Sequence, residues 1–381
     1  MHICFLNMPI EYYSPISGGA IATVIMQTAR TLLERGHKVS VLTLLNDDES
    51  YTVGEVVRIE ATRREDLPRL ARYFSAIRRR VMRWDWAAYE YYLRSFSRAL
   101  AQLAPAPDAV VMYNDLVSSK YVKRILPQTK VIVWLQNECR SKHDIAITDR
   151  HTHAFLTCSD YIRRWTSEHY GLPRERFTVN HNAADPTVFM PRPGFLEANG
   201  SVRVLFLGRI DPNKGPDIAA DAVAALRAEG LPVKLTVAGG LWFYGHGNEM
   251  RDPYFRSLKG KMEAAEADYV GHVNRHAVAE LYRKHDVACV LSRSHDPYPL
   301  VTIEAMSSGC AVVASDRGGL PEACVGAGLL VNPDDFPAVV GALRSLVVNR
   351  DLLNLEKQRS IARAAKSPWS TCADTLLKVL A

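Results

Sequence analysis

The sequence predicts an α/β chain with two parallel-sheet domains. Three observations carry this expectation. Short β-rich runs alternate with longer helical patterns through both halves of the chain. The runs are apolar at nearly every position, as in strands covered on both faces. The alternation also stops near 185–201 and then restarts. That stretch carries Pro186, Pro191, Pro193, Gly194 and Gly200 and reads as a linker. A length of 381 residues suits about two domains of ordinary size.

In the first half, Ile3–Leu6 reads as the opening strand. Gly18-Gly19 opens a helix from about Ala20 to Arg35, stopped at Gly36. Strands follow at Lys38–Thr43, Asp108–Tyr113, Lys130–Leu135, Ala154–Cys158 and Phe177–Asn180. The second half offers strands at Val202–Leu207, Lys234–Ala238, Tyr269–Gly271, Val287–Leu291, Ala311–Ser315 and Gly328–Val331. Its helices are expected at Asp217–Glu229, Val278–Lys284, Thr302–Ser308 and Phe336–Val348. Two Rossmann-like domains facing each other across a cleft follow, with boundaries at 1–190 and 191–366.

The bulk numbers describe an ordinary globular protein: 48% hydrophobic and 23% charged residues. No apolar stretch approaches the ~20 residues that span a bilayer. Met1–Leu6 enters a strand directly, without a basic segment and a cleavable apolar one. Seven scattered cysteines include no Cys-x-x-Cys pair and fit reduced thiols. A cytoplasmic location is therefore expected. The net charge of +6 is uneven. Eleven arginines and five acids lie between Arg58 and Arg98, a surplus of six in that stretch alone.

Two constellations carry chemistry. The first follows the strand Val202–Leu207 and reads Gly208-Arg209-Ile210-Asp211-Pro212-Asn213-Lys214-Gly215. A strand, a glycine turn, two cations and a helix start make a seat for a phosphate-rich ligand. The second follows Val287–Leu291. It holds Asp296 and Glu304 eight positions apart, then Gly309, then Gly318-Gly319-Leu320-Pro321-Glu322. In these motifs and their order, the chain resembles the retaining glycosyltransferases of family four, which have the GT-B fold. The resemblance covers nearly the whole chain and is most specific in the C-terminal half.

The resemblance implies a GT-B architecture whose last helix, near 367–381, crosses back to the N-terminal domain. It implies a nucleoside diphosphate sugar as donor, UDP- or GDP-linked. Arg209 and Lys214 would stabilise the leaving diphosphate, and Gly208 would let the backbone approach. Glu304 would accept hydrogen bonds from the ribose hydroxyls. Leu300 and Val301 would present backbone amides to the distal phosphate. His272 and Val273 belong to the loop that would hold the base. Gly18 and Gly19 would close on the diphosphate from the first domain. Asp296 stands where the family more often has Glu, near the donor sugar. Gln136-Asn137 stands where the family often has histidine. An amide can bind a hydroxyl there but cannot shuttle a proton. Tyr298-Pro299 replaces the usual Phe-Gly and removes one amide donor.

No Asp-x-Asp triplet follows a strand, so no catalytic metal and no cofactor are expected. Within Arg58–Arg98, Trp84, Trp86, Tyr89, Tyr91 and Tyr92 lie among or beside the arginines. That mixture suits an anionic membrane surface, the inner face of the membrane here, or a lipid-linked acceptor. No nucleic-acid module accompanies it. The expected function is a retaining, metal-independent glycosyltransferase acting on a glycan or lipid-linked acceptor, in surface polysaccharide or glycoconjugate assembly. The alternatives are a catalytically weak sugar-nucleotide-binding protein and a sugar-nucleotide epimerase of the same fold.

Overall fold

The computed structural model describes residues 1–8, 11–17, 19–59, 95–116, 118–140, 145–194, 200–241 and 252–381. The chain forms two compact units. One comprises Met1–Thr157, Trp165–Thr178 and Ala373–Ala381; the other comprises Cys158–Arg164 and Val179–Cys372.

The first sheet holds β1 (His2–Leu6), β2 (Lys38–Leu44), β3 (Glu55–Ile59), β4 (Ala109–Tyr113), β5 (Lys130–Leu135), β6 (Ala154–Thr157) and β7 (Phe177–Val179). Their order is β3-β2-β1-β4-β5-β6-β7. Strands β1 to β6 pair in parallel, with Ile3 beside Val39 on one side and Ala109 on the other. Every residue of β1 and β4 is buried, as their continuous apolar runs require. Helix α1 (Ala20–Glu34) is buried at every position from Ile21 to Ala29 and again at Leu32, so its first turns are packed on all sides, with Ile21, Val24, Ile25 and Leu32 among them. Each such aliphatic side chain contributes roughly 1.5–3 kcal/mol on burial. Short helices α2 (Ser119–Ile125) and α3 (Ile145–His151) and the longer α4 (Asp160–Tyr170) complete the crossovers.

The second sheet holds β8 (Val202–Leu207), β9 (Val233–Ala238), β10 (Asp268–Gly271), β11 (Val287–Val290), β12 (Ala311–Ser315) and β13 (Leu329–Val331). Their order is β10-β9-β8-β11-β12-β13, all parallel. Its helices are α5 (Pro216–Ala228), α6 (Pro253–Ala264), α7 (Arg275–Arg283), α8 (Leu300–Ser307), α9 (Leu320–Ala323), α10 (Phe336–Val348) and α11 (Arg350–Ala364). The core between sheet and helices includes Val204, Phe206, Val237, Val223, Leu226 and Leu343, each 2% exposed or less.

The final helix, α12 (Trp369–Leu380), ends in the first unit, as the family resemblance implies. Lys130 donates to the carbonyl of Leu380, and His153 donates to that of Val379 at 3.0 Å. Cationic and N–H groups at a helix C-terminus satisfy its free carbonyls. Arg35 pairs with Asp374 on the same helix.

Sheet order marks a candidate ligand crevice. In the second sheet the chain runs outward from β8 to β10, then returns to the other side of β8 with β11. Loops leaving the carboxyl ends of β8 and β11 therefore diverge and leave a crevice. In the first sheet the equivalent point lies between β1 and β4. At the opposite, amino-terminal ends of the central strands β8 and β11 lies a buried charge cluster. Asp286 accepts hydrogen bonds from Arg203 Nε at 3.0 Å and Lys357 Nζ at 2.8 Å. Asp286 and Lys357 side chains are each 1% exposed. Burial alone would raise the Asp286 carboxyl, but those hydrogen bonds outweigh it and hold the group at about 2.

Candidate active site

The loop leaving β8 begins at Gly208, whose amide is spent on Ala238. Arg209 pairs with Asp211 at 2.7 Å. Asp211 also caps the following turn of 3-10 helix, accepting from the Asn213 amide at 2.8 Å. Burial opposes ionisation of Asp211, but the Asn213 amide and Arg209 keep its carboxyl below the usual range. Lys214 ends that turn, and Gly215 follows with φ of 72°. A Cβ on Gly215 would lie 2.2 Å from the carbonyl oxygen of Leu291. Only glycine lets this loop lie against the end of β11 in that conformation.

The loop leaving β11 meets Lys214. Asp296, buried, accepts from the Lys214 ammonium on one carboxylate oxygen and from the Ser292 hydroxyl on the other. Two residues 82 positions apart in sequence thus form one ion pair at the crevice. Gly318-Gly319 backs this loop. The Gly319 amide donates to the Asp296 carbonyl at 2.7 Å, and a Cβ there would lie 1.7 Å from the Pro297 carbonyl oxygen.

Helix α8 starts at Leu300 behind Pro299, and no side chain caps it. A helix start leaves its first amides without intrahelical partners, so Leu300 and Val301 present donors and the positive end of the helix dipole. One turn on, Glu304 is wholly buried. One carboxylate oxygen takes an ion pair from Arg275, and the other has no partner among the described residues. A buried carboxylate oxygen without a donor is costly. Arg275 also stacks over the Phe189 ring, 4.9 Å from its centroid. His272, exposed, and Val273, half-buried, lie in the loop between β10 and α7, where Asn274 caps α7.

A second cluster ties the chain after β7 to this region. His181 hydrogen-bonds Glu322 at 2.5 Å and stacks on Tyr298 at 4.9 Å. Glu322 also accepts the Asp160 amide at the start of α4. Asn182 donates to the Tyr298 carbonyl at 3.0 Å, and Arg363 donates to the Tyr298 hydroxyl at 3.0 Å. Burial pushes the Tyr298 phenol up to about 12, so it stays protonated.

In the first unit, Gln136 and Asn137 follow β5, buried and exposed respectively. Both backbone amides donate to Asn114 Oδ1, at 2.7 and 3.1 Å. Asn114 sits at the end of β4, beside the switch point, with φ of 50°. Gly19 is the N-cap of α1; Gly18 lies outside the described residues. The Glu11 carboxylate occupies the first turn of α1, accepting from the Ala22 amide at 3.2 Å. Burial raises the Glu11 carboxyl to about 7, against the amides of α1 that favour its charge.

The structure therefore gathers Lys214 with Asp296, places Glu304 one helical turn from the Leu300 and Val301 amides, and keeps Arg209 on Asp211. Sequence reasoning passed over Ser292, Asp211, Arg275 and Asn114. Asp211 and Ser292 serve partners two to four residues away inside their own loops, which no strand or helix pattern marks. Arg275 and Asn114 meet partners 29 and 22–23 residues away, brought together only by the fold. Residues 60–94, with every arginine of the Arg58–Arg98 stretch except Arg58 and Arg98, lie outside the described residues. Among the described residues no group of three or more His, Cys, Asp or Glu side chains is placed to hold a metal ion. Among them no helix is long and apolar enough to cross a membrane.

Comparison with known proteins matches both halves. Residues 192–367 match the model of Glycosyl transferases group 1, and residues 18–188 match that of Glycosyltransferase Family 4. A D-inositol 3-phosphate glycosyltransferase from Nocardia farcinica is 32% identical over 221 residues, 55% of this chain and 48% of that protein. The chain thus matches about half the length of that relative. A phosphatidyl-myo-inositol mannosyltransferase from Mycolicibacterium smegmatis is 25% identical over 390 residues, 98% of this chain and 92% of that protein. Among solved structures, Anabaena Alr3699/HepE in complex with UDP superposes with a TM-score of 0.72 at 15% identity, covering 100% of this chain and 99% of that one.

Proposed function

The chain belongs to family 4 of the glycosyltransferases, and we propose that it moves a sugar from UDP or GDP to a hydroxyl of a glycan or lipid-linked acceptor, with retention of configuration. The observation that carries this reading is Glu304. Its buried, half-satisfied carboxylate lies one turn inside a helix whose open N-terminus faces the crevice between β8 and β11. A ribose diol supplies O–H donors for the oxygen that lacks one. The diphosphate then falls at the α8 amides and the Lys214 turn.

In this reading the bond from sugar C1 to the diphosphate oxygen breaks, and its electron pair leaves with the diphosphate. Arg209, Lys214 and the amides of Leu300 and Val301 bind that oxygen's growing charge more strongly as it develops. Asp296 holds the Lys214 ammonium toward the crevice, with Ser292 fixing the carboxylate from behind. The acceptor hydroxyl adds to C1 on the face the diphosphate leaves. Its proton passes to the departing phosphate oxygen, so no side-chain base is required. Gly208 is read as allowing close backbone approach, and His272 and Val273 as lining the base. The first unit, through Gln136 and Asn137, is read as the acceptor side.

Two cations and a helix N-terminus neutralise the leaving group, so the reaction is read as metal-independent. The Arg58–Arg98 stretch is read as a peripheral contact with an anionic membrane, consistent with a lipid-linked acceptor. Assembly of a surface glycoconjugate is the process this chemistry suits. The test is release of UDP or GDP from a panel of their sugars, with phosphatidylinositol and inositol phosphate as acceptors, in buffer containing EDTA. Acceptor-dependent release supports the reading. Tight binding of a nucleotide sugar without turnover points to a binding protein, and an isomerised sugar nucleotide without acceptor points to an epimerase.

A further inference from the structure

Lys214 stands on a turn that would not hold its place alone. The segment from Asp211 to Gly215 is a single 3-10 turn capped by its own Asp211. What pins it to the β11 loop is Arg293. The Arg293 amide donates to the Asn213 carbonyl at 2.8 Å. Its Nη1 donates to the Pro212 carbonyl at 2.7 Å and to Asp217 at 2.9 Å, and its Nη2 donates to Asp217 at 2.7 Å. Asp217 is on the first turn of α5, just past Lys214. Arg293 therefore grips the turn on both sides of Lys214.

The grip is itself braced. Tyr254 donates to Asp217 at 2.8 Å, and Arg317 donates to the Arg293 carbonyl at 2.8 Å. The Asp217 side chain is 14% exposed, and both partners shift toward their charged forms. Burial opposes ionisation of Asp217, but the hydrogen bonds from Arg293 and Tyr254 hold its carboxyl below the usual range. The hydrogen bond to Asp217 raises the Arg293 guanidinium above its own. Three residues beyond Arg293, Asp296 reaches back to Lys214. The two loops are thus joined twice, once through Arg293 and once through the Lys214–Asp296 pair.

We propose that Arg293, with Asp217, is a positioning residue that sets Lys214 against the leaving diphosphate. The proposal rests on the reading of Lys214 given above. The guanidinium grips a carboxylate with two donors and a carbonyl at once, and a lysine lacks that planar fork. Removing it frees the turn to shift, and displacement of a charge-stabilising group by about 1 Å costs up to 10²-fold in rate.

The full-length chain would be assayed as wild type, Arg293→Lys, Asp217→Asn, the double variant, Tyr254→Phe and Lys214→Ala. Turnover of UDP- and GDP-sugars, UDP and GDP affinity, and melting temperature would be measured for each. The proposal expects kcat to fall about 10-fold or more in Arg293→Lys and in Asp217→Asn. It expects nucleotide affinity to change less than kcat. The double variant should be no slower than the worse single, because both break one contact. Tyr254→Phe, which removes only a hydroxyl, should lower kcat by about 2–3-fold and covers the case in which the charge variants do not fold. Wild-type kcat in Asp217→Asn, or multiplicative losses in the double variant, would overturn the proposal while leaving Lys214 in place. Affinity loss confined to Arg293→Lys would mean that Arg293 touches the donor directly, which also overturns it. Undiminished turnover in Lys214→Ala would remove the reading of Lys214 itself, and the proposal with it.

Discussion

Replacing Glu304 probes the nucleotide seat most sharply. The side chain is wholly buried, one oxygen is paired with Arg275 and the other has no partner among the described residues. A ribose diol would add hydrogen bonds to a charged acceptor, each contributing about 1.5–3 kcal/mol. Losing one such bond raises Kd roughly 10- to 150-fold at about 1.4 kcal/mol per decade. Glu304→Gln keeps the shape and one acceptor oxygen and removes the charge, so a rise near the lower figure is expected. Glu304→Ala removes both oxygens and should approach the upper one. Arg275 is 24% exposed and remains partly hydrated when its partner goes, so the fold should survive either change. Calorimetric titration with UDP and GDP, and with their 2′,3′-dideoxy analogues, reads the effect. The wild type should bind the dideoxy form at least 10-fold more weakly; Glu304→Ala should bind both forms alike. If the variants bind nucleotide like the wild type, or if the dideoxy penalty persists in Glu304→Ala, the ribose assignment is wrong.

Arg209→Ala and Lys214→Ala should each lower kcat by about 10²-fold, as loss of one charge-stabilising donor does; steady-state kinetics with near wild-type turnover in both would refute their role. Asp286 is held at about 2 against an ordinary 3.8, so its stabilisation is complete above about pH 4 and lost as pH falls toward 2. That difference is worth roughly 2 kcal/mol. Asp286→Asn should flatten this acid limb and cost about 3–5 kcal/mol at neutral pH, since Lys357 is left buried without its carboxylate; urea titrations at several pH values check both. Replacing Arg78, Arg79, Arg80 and Arg83 with Gln should abolish low-salt co-sedimentation with anionic vesicles and leave nucleotide affinity unchanged. Vesicles ignored by wild type and variant alike would count against membrane docking.

Most of the fold was legible because its strands are buried on both faces. Runs such as Val131–Leu135 and Ala311–Ala314 have no polar residue to blur the pattern. The miss at β3 has the opposite cause. Glu55–Ile59 is an edge strand with polar, half-exposed positions, so no apolar run marks it. Helix α11 was also missed. Its buried positions include Glu356, Lys357 and Ser360, so the stripe that signals a packed helix is polar. In the candidate site, the placement of Arg209, Lys214 and Glu304 was readable because strand, turn and helix start fall within a few residues of each. The pairs that hold them were not. Lys214 meets Asp296 across 82 residues, Arg293 meets Asp217 across 76, and Arg275 meets Glu304 across 29. Such contacts exist only once β11 has been inserted beside β8. Asp296 shows the difference: the family resemblance set it near the donor sugar, and only the structure shows its two oxygens accepting from Lys214 and Ser292.

The measurement that bears most directly on the central claim is proton NMR of a reaction with an α-linked nucleoside diphosphate sugar and an acceptor, followed in real time with EDTA present. The account predicts release of UDP or GDP in step with a new glycoside whose anomeric proton keeps the α configuration. It also predicts that Lys214→Ala slows both signals together. A β-configured product, or an isomerised sugar still joined to its nucleotide, would contradict it.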